Sequence, residues 1–291
     1  MAERLRGRPC LRPLPDMKSL CLLMGYHLQN LCATSPIVDT HARFDLVLTS
    51  HSSRVPRAYA AIESICAGPV RPRRVILFLA RDDWPLPLPA TLKRLVSRGL
   101  EVLTCENLGP HKKQQPYLRM HARFDRPLVT IDDDVFYRSD LLMALLQAWL
   151  RQPDVIHCSR ARQVRLQDHG FAPYTSWPLC DHDSATFANF ATGVGGVIYP
   201  PGFLAALKAA GSGFREACPW ADDIWVNKQA VSAGFKVRQL RDCSDKFTDV
   251  PGARKTALFK RNIRLGGNDR QLAHTYSAED LQRISLMQAT Q

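Results

Sequence analysis

Three consecutive carboxylates, Asp132, Asp133 and Asp134, follow directly on the short apolar run at 127–131. An apolar run of that length reads as a buried strand. A buried strand does not end in three adjacent negative charges unless something neutralises them, because like charges repel and resist leaving water. A bound cation is the usual remedy. Side chains alternate sides along an extended backbone, so Asp132 and Asp134 point the same way. Two hard oxygen ligands on one face suit Mg²⁺ or Mn²⁺, and such an ion commonly carries substrate phosphates. In an open α/β sheet, ligands bind at the carboxyl ends of the strands. The plainer alternative is an acidic loop that caps a following helix at Ser139.

A second acidic pair, Asp222 and Asp223, lies between Trp220 and Trp225 at a predicted helix start. Acids there serve as N-cap and first-turn residues favoured by the helix dipole. They serve equally as a carboxylate that takes a proton from an acceptor hydroxyl or stabilises charge on a sugar ring. Tryptophans fit sugar-face stacking and core packing alike. Gly193, Gly195 and Gly196 precede the apolar run at 197–199, where glycine lets the backbone turn sharply or approach a ligand closely, with Gly195 and Gly196 the candidates beside a donor or acceptor sugar. Because they precede the strand, they do not form a dinucleotide fingerprint. Thr49, Ser50 and Arg54 close the first strand, a nucleotide-facing position or a plain polar loop. Lys113, beside Lys112, is a phosphate partner or a solvated lysine. His274, after the turn at 266–270, is a late candidate for a metal or phosphate, and Asp181-His182-Asp183 has metal-cluster composition in an aperiodic loop.

These residues need a scaffold, and the pattern supplies one. Apolar strands are predicted at 44–49, 74–80, 101–106, 127–131 and 154–158. Helical spacing fills 55–66, 90–97, 112–120 and 141–151. Alternating strands and helices imply an α/β fold with a mostly parallel central sheet and helices on both faces. The stretch 163–189 is rich in Pro, Trp, His and Asp and reads as a long, partly ordered excursion over an acceptor site. Beyond it the pattern predicts a strand over 191–200, helices over 203–210 and 221–233, and a last strand over 235–240.

The chain has 291 residues and a formal net charge of +12, which favours anionic partners. Basic residues crowd both ends: Arg4, Arg6, Arg8, Arg12 and Lys18 at one, Arg254, Lys255, Lys260, Arg261, Arg264 and Arg270 at the other. They are not interleaved with aromatics, which speaks against nucleic acid. Nine cysteines without a CxxC pair point to a reducing, cytoplasmic setting. The segment 20–33 is too short and too polar to span a membrane, and no small-residue cleavage site follows it. Residues 1–40 read as a poorly ordered N-terminal extension, with Met17 and Met24 as alternative starts, and 41–291 as one domain. No Walker loop, nucleophile elbow or zinc-protease motif is present.

Taken in order, TSHSSR (49–54), VILFLA (75–80), HKKQQPY (111–117), TIDDDVFY (130–137), TGVGGVIYPP (192–201), ADDIW (221–225) and GGNDRQL (266–272) resemble the GT-A nucleotide-sugar glycosyltransferases. The likeness is to bacterial polysaccharide-type transferases and more loosely to exostosin-type ones, over about 44–274. It implies that Mn²⁺ or Mg²⁺ bridges the donor diphosphate. Asp134 would ligate it, Asp132 would contact the ribose or a metal-bound water, and Asp133 would support both. Thr49, Ser50, Arg54 and Lys113 would hold the nucleotide, and Asp222 or Asp223, with Asp223 preferred, would face the acceptor. The implied partners are a nucleotide-sugar donor and a glycan or lipid-linked acceptor in surface polysaccharide synthesis, with peripheral membrane contact through the basic surface. A sugar nucleotidyltransferase would need a glycine-rich loop after the first strand, and 49–54 has no glycine. A non-catalytic binder on the same scaffold would not need the acids.

Overall fold

The computed structural model describes residues 16–84, 87–168, 170–252 and 260–288. Arg4, Arg6, Arg8, Arg12, Arg254 and Lys255 lie outside them. Strands β1 (Asp45–Thr49), β2 (Val75–Ala80), β3 (Leu100–Cys105), β4 (Leu128–Thr130), β5 (Val135–Phe136) and β6 (Ile156–Cys158) come first. Helices α1 (Met17–Cys32), α2 (Ala58–Cys66), α3 (Ala90–Val96), α4 (Gln115–Met120) and α5 (Leu141–Arg151) precede or connect them. The second half adds β7 (Ala161–Gln163), β8 (Leu166–Gln167), β9 (Gly170–Phe171), β10 (Asn189–Ala191), β11 (Val197–Tyr199), β12 (Val237–Gln239) and β13 (Thr248–Asp249). Its helices are α6 (Pro201–Ala209), α7 (Phe214–Ala217), α8 (Asp222–Ser232), α9 (Gly267–Thr275) and α10 (Ala278–Gln288).

Seven strands form one sheet in the order β12-β6-β11-β4-β1-β2-β3. Every pairing in it is parallel except those of β11, which runs antiparallel to both β4 and β6. All six residues of β2 are buried, as a strand covered on both faces requires. Its side chains part with period two: Ile76 and Phe78 join one apolar cluster, Val75, Leu77 and Leu79 the other. The first cluster lies under α6 and α8, the second under α2, α3 and α5. The central sheet and its two helical layers are those the alternation implied.

Two topological details carry the site. Because β11 is antiparallel, Val197 pairs with Thr130 at the carboxyl end of β4. The glycine turn before β11 therefore sits beside Asp132. The short ladder β5–β13 sets Asp249 opposite Val135, next to Asp134.

Residues 17–32, read from sequence as part of a poorly ordered extension, form a helix. Asp16 caps it by accepting from the Ser19 amide at 2.6 Å. Its inner face is held by the Asn30 side chain, which donates to Glu63 Oε1 at 2.8 Å, and by Tyr26, which stacks on Phe136 at 5.6 Å. The excursion at 163–189 is bracketed by the antiparallel pair β7–β10 and holds the small pair β8–β9. Among the described residues no helix is long and apolar enough to cross a membrane.

Candidate functional site

A cleft of about 1020 Å³ opens over the carboxyl ends of β1 and β4. The Asp triplet forms part of its wall, and Asp222 and Asp223, from the first turn of α8, form another part. Thr49, Ser50, Arg54, Lys113, Trp220 and Asp249 also line it. Elements far apart in sequence thus bring seven carboxylates, Asp83 among them, and the cations Arg54, Lys112 and Lys113 to one cleft.

The triplet's charge is met by two of those cations. Arg54, entering from the turn after β1, pairs with Asp133 and reaches Asp134 Oδ2 at 2.9 Å. Ser50 Oγ donates to Asp133 Oδ2 at 2.5 Å, so Asp133 is fully engaged. Lys113 Nζ lies 2.6 Å from Asp132 Oδ1 and 3.3 Å from Asp222 Oδ2. Gln114 also donates to Asp222, at 3.1 Å. Burial opposes the charge on Lys113, but Asp132, Asp222 and Asp223 outweigh it and raise its pKa well above the usual lysine value. Burial would likewise push Asp222 up. Lys113, His111 and Gln114 instead hold it below the ordinary carboxylate range.

Two carboxyls are left poised. Asp134 keeps 25% of its side-chain surface open to the cleft. Burial of the rest, with Asp132, Asp133 and Asp249 nearby, pushes its pKa up to about 7 despite Arg54. Asp223 is pushed up to about 7 by burial, then by Asp222 and Asp132, against Lys113. The Gly193 amide donates to Asp223 Oδ2 at 3.0 Å. A Cβ on Gly193 would stand 2.7 Å from Lys113 Nζ and 2.8 Å from Asp223 Oδ1, so any larger residue would have to displace the lysine or the carboxylate.

The structure departs from the sequence expectations at several residues. Gly195 and Gly196 are buried away from the cleft, Gly195 against Ser159 and Arg160 and Gly196 against Leu141 and Ile131. Trp225 is a core residue, edge-on to Phe214 at 6.1 Å. Trp220 does line the cleft, with the Arg261 guanidinium 4.0 Å from its ring centroid. His274 is exposed on α9 and does not line the cleft. From the same motif Asn268 does, and the Oδ1 atoms of Asn268 and Asn262 are buried there without a hydrogen-bond partner. Thr49 Oγ1 donates to the Phe78 carbonyl at 2.8 Å, so its hydroxyl is spent on the sheet. Asp183 pairs with Arg238, and Asp181 accepts from Gln163.

A pre-built metal cage is not present: among the described residues no three of His, Cys, Asp or Glu converge on one point. The donors do fit the looser alternative, an ion held by one or two carboxylates and completed by substrate phosphates. Asp134 and Asp249 supply the carboxylates, and the orphaned amide oxygens of Asn262 and Asn268 add hard acceptors in the same cleft.

Sequence comparison finds no matching family model and no matching curated protein. Structure comparison finds a mannosyltransferase from Pyrobaculum calidifontis, solved with GDP-Man and Mn²⁺. It is 16% identical with a TM-score of 0.51, over 88% of this chain and 74% of that one. GalNAc-T7, solved with UDP, GalNAc and Mn²⁺, aligns at 10% identity and TM-score 0.48 over 69% of this chain and 42% of its own. A CMP:2-keto-3-deoxy-manno-octonic acid synthetase with CTP aligns at 13% identity and TM-score 0.44 over 78% of this chain and 100% of its own. The last two likenesses are too weak to choose between those kinds of enzyme. The sheet order and the match to the mannosyltransferase together show that this chain has the GT-A fold of nucleotide-sugar glycosyltransferases.

Proposed function

We propose that the protein is a metal-dependent glycosyltransferase that moves a sugar from a nucleotide-sugar donor to a hydroxyl of a glycan or lipid-linked acceptor. The supporting observation is the cleft itself. Asp132, just after β4, faces Asp222 across Lys113 with Gly193 beside Asp223, and Asp134 lines the same cleft against Arg54.

Asp134 and Asp249 would hold Mn²⁺ or Mg²⁺ together with the donor diphosphate. The ion would neutralise charge building on the departing nucleoside diphosphate. Arg54 and Lys113, which pair with the acids, would turn to the phosphates when a cation takes over that work. Asp223, with its pKa near neutrality, is the group to accept the acceptor's proton, since general bases work best near the operating pH. The Gly193 amide fixes its orientation. Trp220, at the cleft wall, offers a face on which a sugar ring can stack. The basic surface and the lipid-linked acceptor class extend this function to peripheral contact with the inner face of a membrane, as part of surface polysaccharide synthesis.

Calorimetry of the full chain with Mn²⁺ against UDP, GDP, CMP and TDP, paired with donor hydrolysis, tests the proposal. Metal-dependent binding of one nucleotide, lost in Asp134→Ala, is expected. Hydrolysis at the wild-type rate in that variant, or in excess chelator, overturns it.

A further inference from the structure

From the outer face of α1 we infer that this helix is a docking surface for an anionic lipid bilayer, lying in the interface rather than crossing it. The inference rests only on the peripheral-contact part of the function proposed above. Met17, Leu20, Met24, Leu28 and Leu31 form one stripe, and each is between 41% and 77% exposed. The gaps between them, three and four residues, put all five on one side of a helix. Cys21, Gly25 and Cys32 share the exposed side, with Lys18 and His27 exposed at its edges, so the middle of the outward surface is apolar. A contiguous apolar strip of this kind marks an interaction surface.

The stripe is not the edge of a loose element. The opposite side of the helix is fixed to the domain through Asn30 on Glu63, Tyr26 on Phe136, and His27 Nδ1 at 3.2 Å from the Tyr59 hydroxyl. The inner face, with Leu22, Leu23 and Tyr26 packed beside the hydrogen-bonded Gln29 and Asn30, is used by the fold, and the apolar outer stripe is left over.

Charge decides what the other face meets. Among its residues α1 carries Lys18 and no acid. The segment that leads into it holds Arg4, Arg6, Arg8 and Arg12 against Glu3 and Asp16. Arg94 of α3 donates to Asn30 Oδ1 at 2.8 Å, and Arg57 and Arg94 both act electrostatically on Tyr59. Glu63, the acid beneath the helix, is buried and matched by Arg98 at 2.6 Å. An apolar stripe with Lys18 beside it, no acid on its helix and an arginine-rich sequence leading into it fits acyl chains below an anionic headgroup layer. At 16 residues the helix is about 24 Å long, short of the roughly 30 Å hydrocarbon core. Tyr26 on its inner face touches Phe136, two residues beyond Asp134, so a docked α1 would hold the cleft close to the bilayer.

The test is co-sedimentation of the full chain with vesicles of phosphatidylcholine alone and of phosphatidylcholine with phosphatidylserine. Binding to the anionic vesicles only is expected, weakening as salt rises. The combined variant Met24→Gln, Leu28→Gln, Leu31→Gln should melt like the wild type and lose about tenfold or more of that binding. In an otherwise unchanged chain, Leu28→Trp should add fluorescence quenched by brominated lipid. Vesicle binding unaffected by the glutamines, or no binding by the wild type, overturns the inference. So does concentration-dependent self-association that the glutamines abolish, which would assign the stripe to a second copy. Each of these leaves transfer to a soluble acceptor untouched, so the catalytic proposal stands or falls separately.

Discussion

The Gly193 amide donates to Asp223 Oδ2 at 3.0 Å, and the same glycine leaves no room for a Cβ beside Asp223 Oδ1. A backbone turn and a side-chain carboxylate therefore hold each other in place. Gly193→Ala must push Asp223 or Lys113 aside. Displacing a catalytic group by about 1 Å costs on the order of a hundredfold in rate. We expect kcat for transfer to fall by about that factor while the donor-nucleotide Kd changes far less. An unchanged kcat in a steady-state assay would show that Asp223 does not act from this position.

Lys113 is the buried counter-ion of Asp132 and Asp222. Breaking such a pair leaves uncompensated charge and costs about 3–5 kcal/mol. Lys113→Met should be destabilised by that order in urea unfolding at neutral pH. It should regain stability as pH falls and the acids take up protons. A variant as stable as the wild type would mean that Lys113 is there for phosphate alone.

The raised pKa of Asp134 has a definite sign. Its folded value, about 7, lies above the ordinary 3.8, so the folded state holds a proton that the unfolded state has lost between those limits. The stability this contributes is complete below 3.8 and disappears as pH rises to 7. Asp134→Asn mimics the protonated form. It should be more stable than wild type at pH 7 by on the order of 1 kcal/mol or more, and similar at pH 4. Denaturant titrations at the two pH values check this, and a constant difference would refute it.

Asp223 titrates in the same window, and in the proposed reaction it would act on rate. As a base it must be ionised, so log kcat/KM should rise with pH up to about 7 and then level off. Asp223→Asn should lose most activity and lose that inflection. A profile of the same shape in the variant would pass the role to another group.

Since no three-residue cage converges, the cation should bind with the nucleotide rather than before it. Mn²⁺ alone should bind weakly in calorimetry, at least about tenfold tighter with a nucleoside diphosphate present. Asp249→Ala should remove most of that gain. Asn268→Ala should weaken donor binding, whereas His274→Ala, on the exposed side of α9, should leave it unchanged.

Local rules made much of this protein readable from its residues. The six-residue run of β2 is buried on both faces, and a run that apolar has few other places to go. The Asp triplet follows an apolar strand, and strand ends in open sheets are where charge can be used. The first turn of α8 carries its acids where the helix dipole tolerates them. What no local rule contains is direction and company. Only the antiparallel insertion of β11 puts Gly193, rather than Gly195 or Gly196, against the acids. Only the β5–β13 ladder brings Asp249 to Asp134, across more than a hundred residues of chain. Helix α1 escaped because its buried side carries Ser19, Gln29 and Asn30, held by hydrogen bonds, while its apolar stripe faces out, the reverse of the usual packed helix. Trp220 and Trp225, and Asn268 and His274, differ by a few residues in sequence and by the side of a helix in space. Composition and spacing name the chemistry available, while the packing of distant elements selects which copies of it face the cleft.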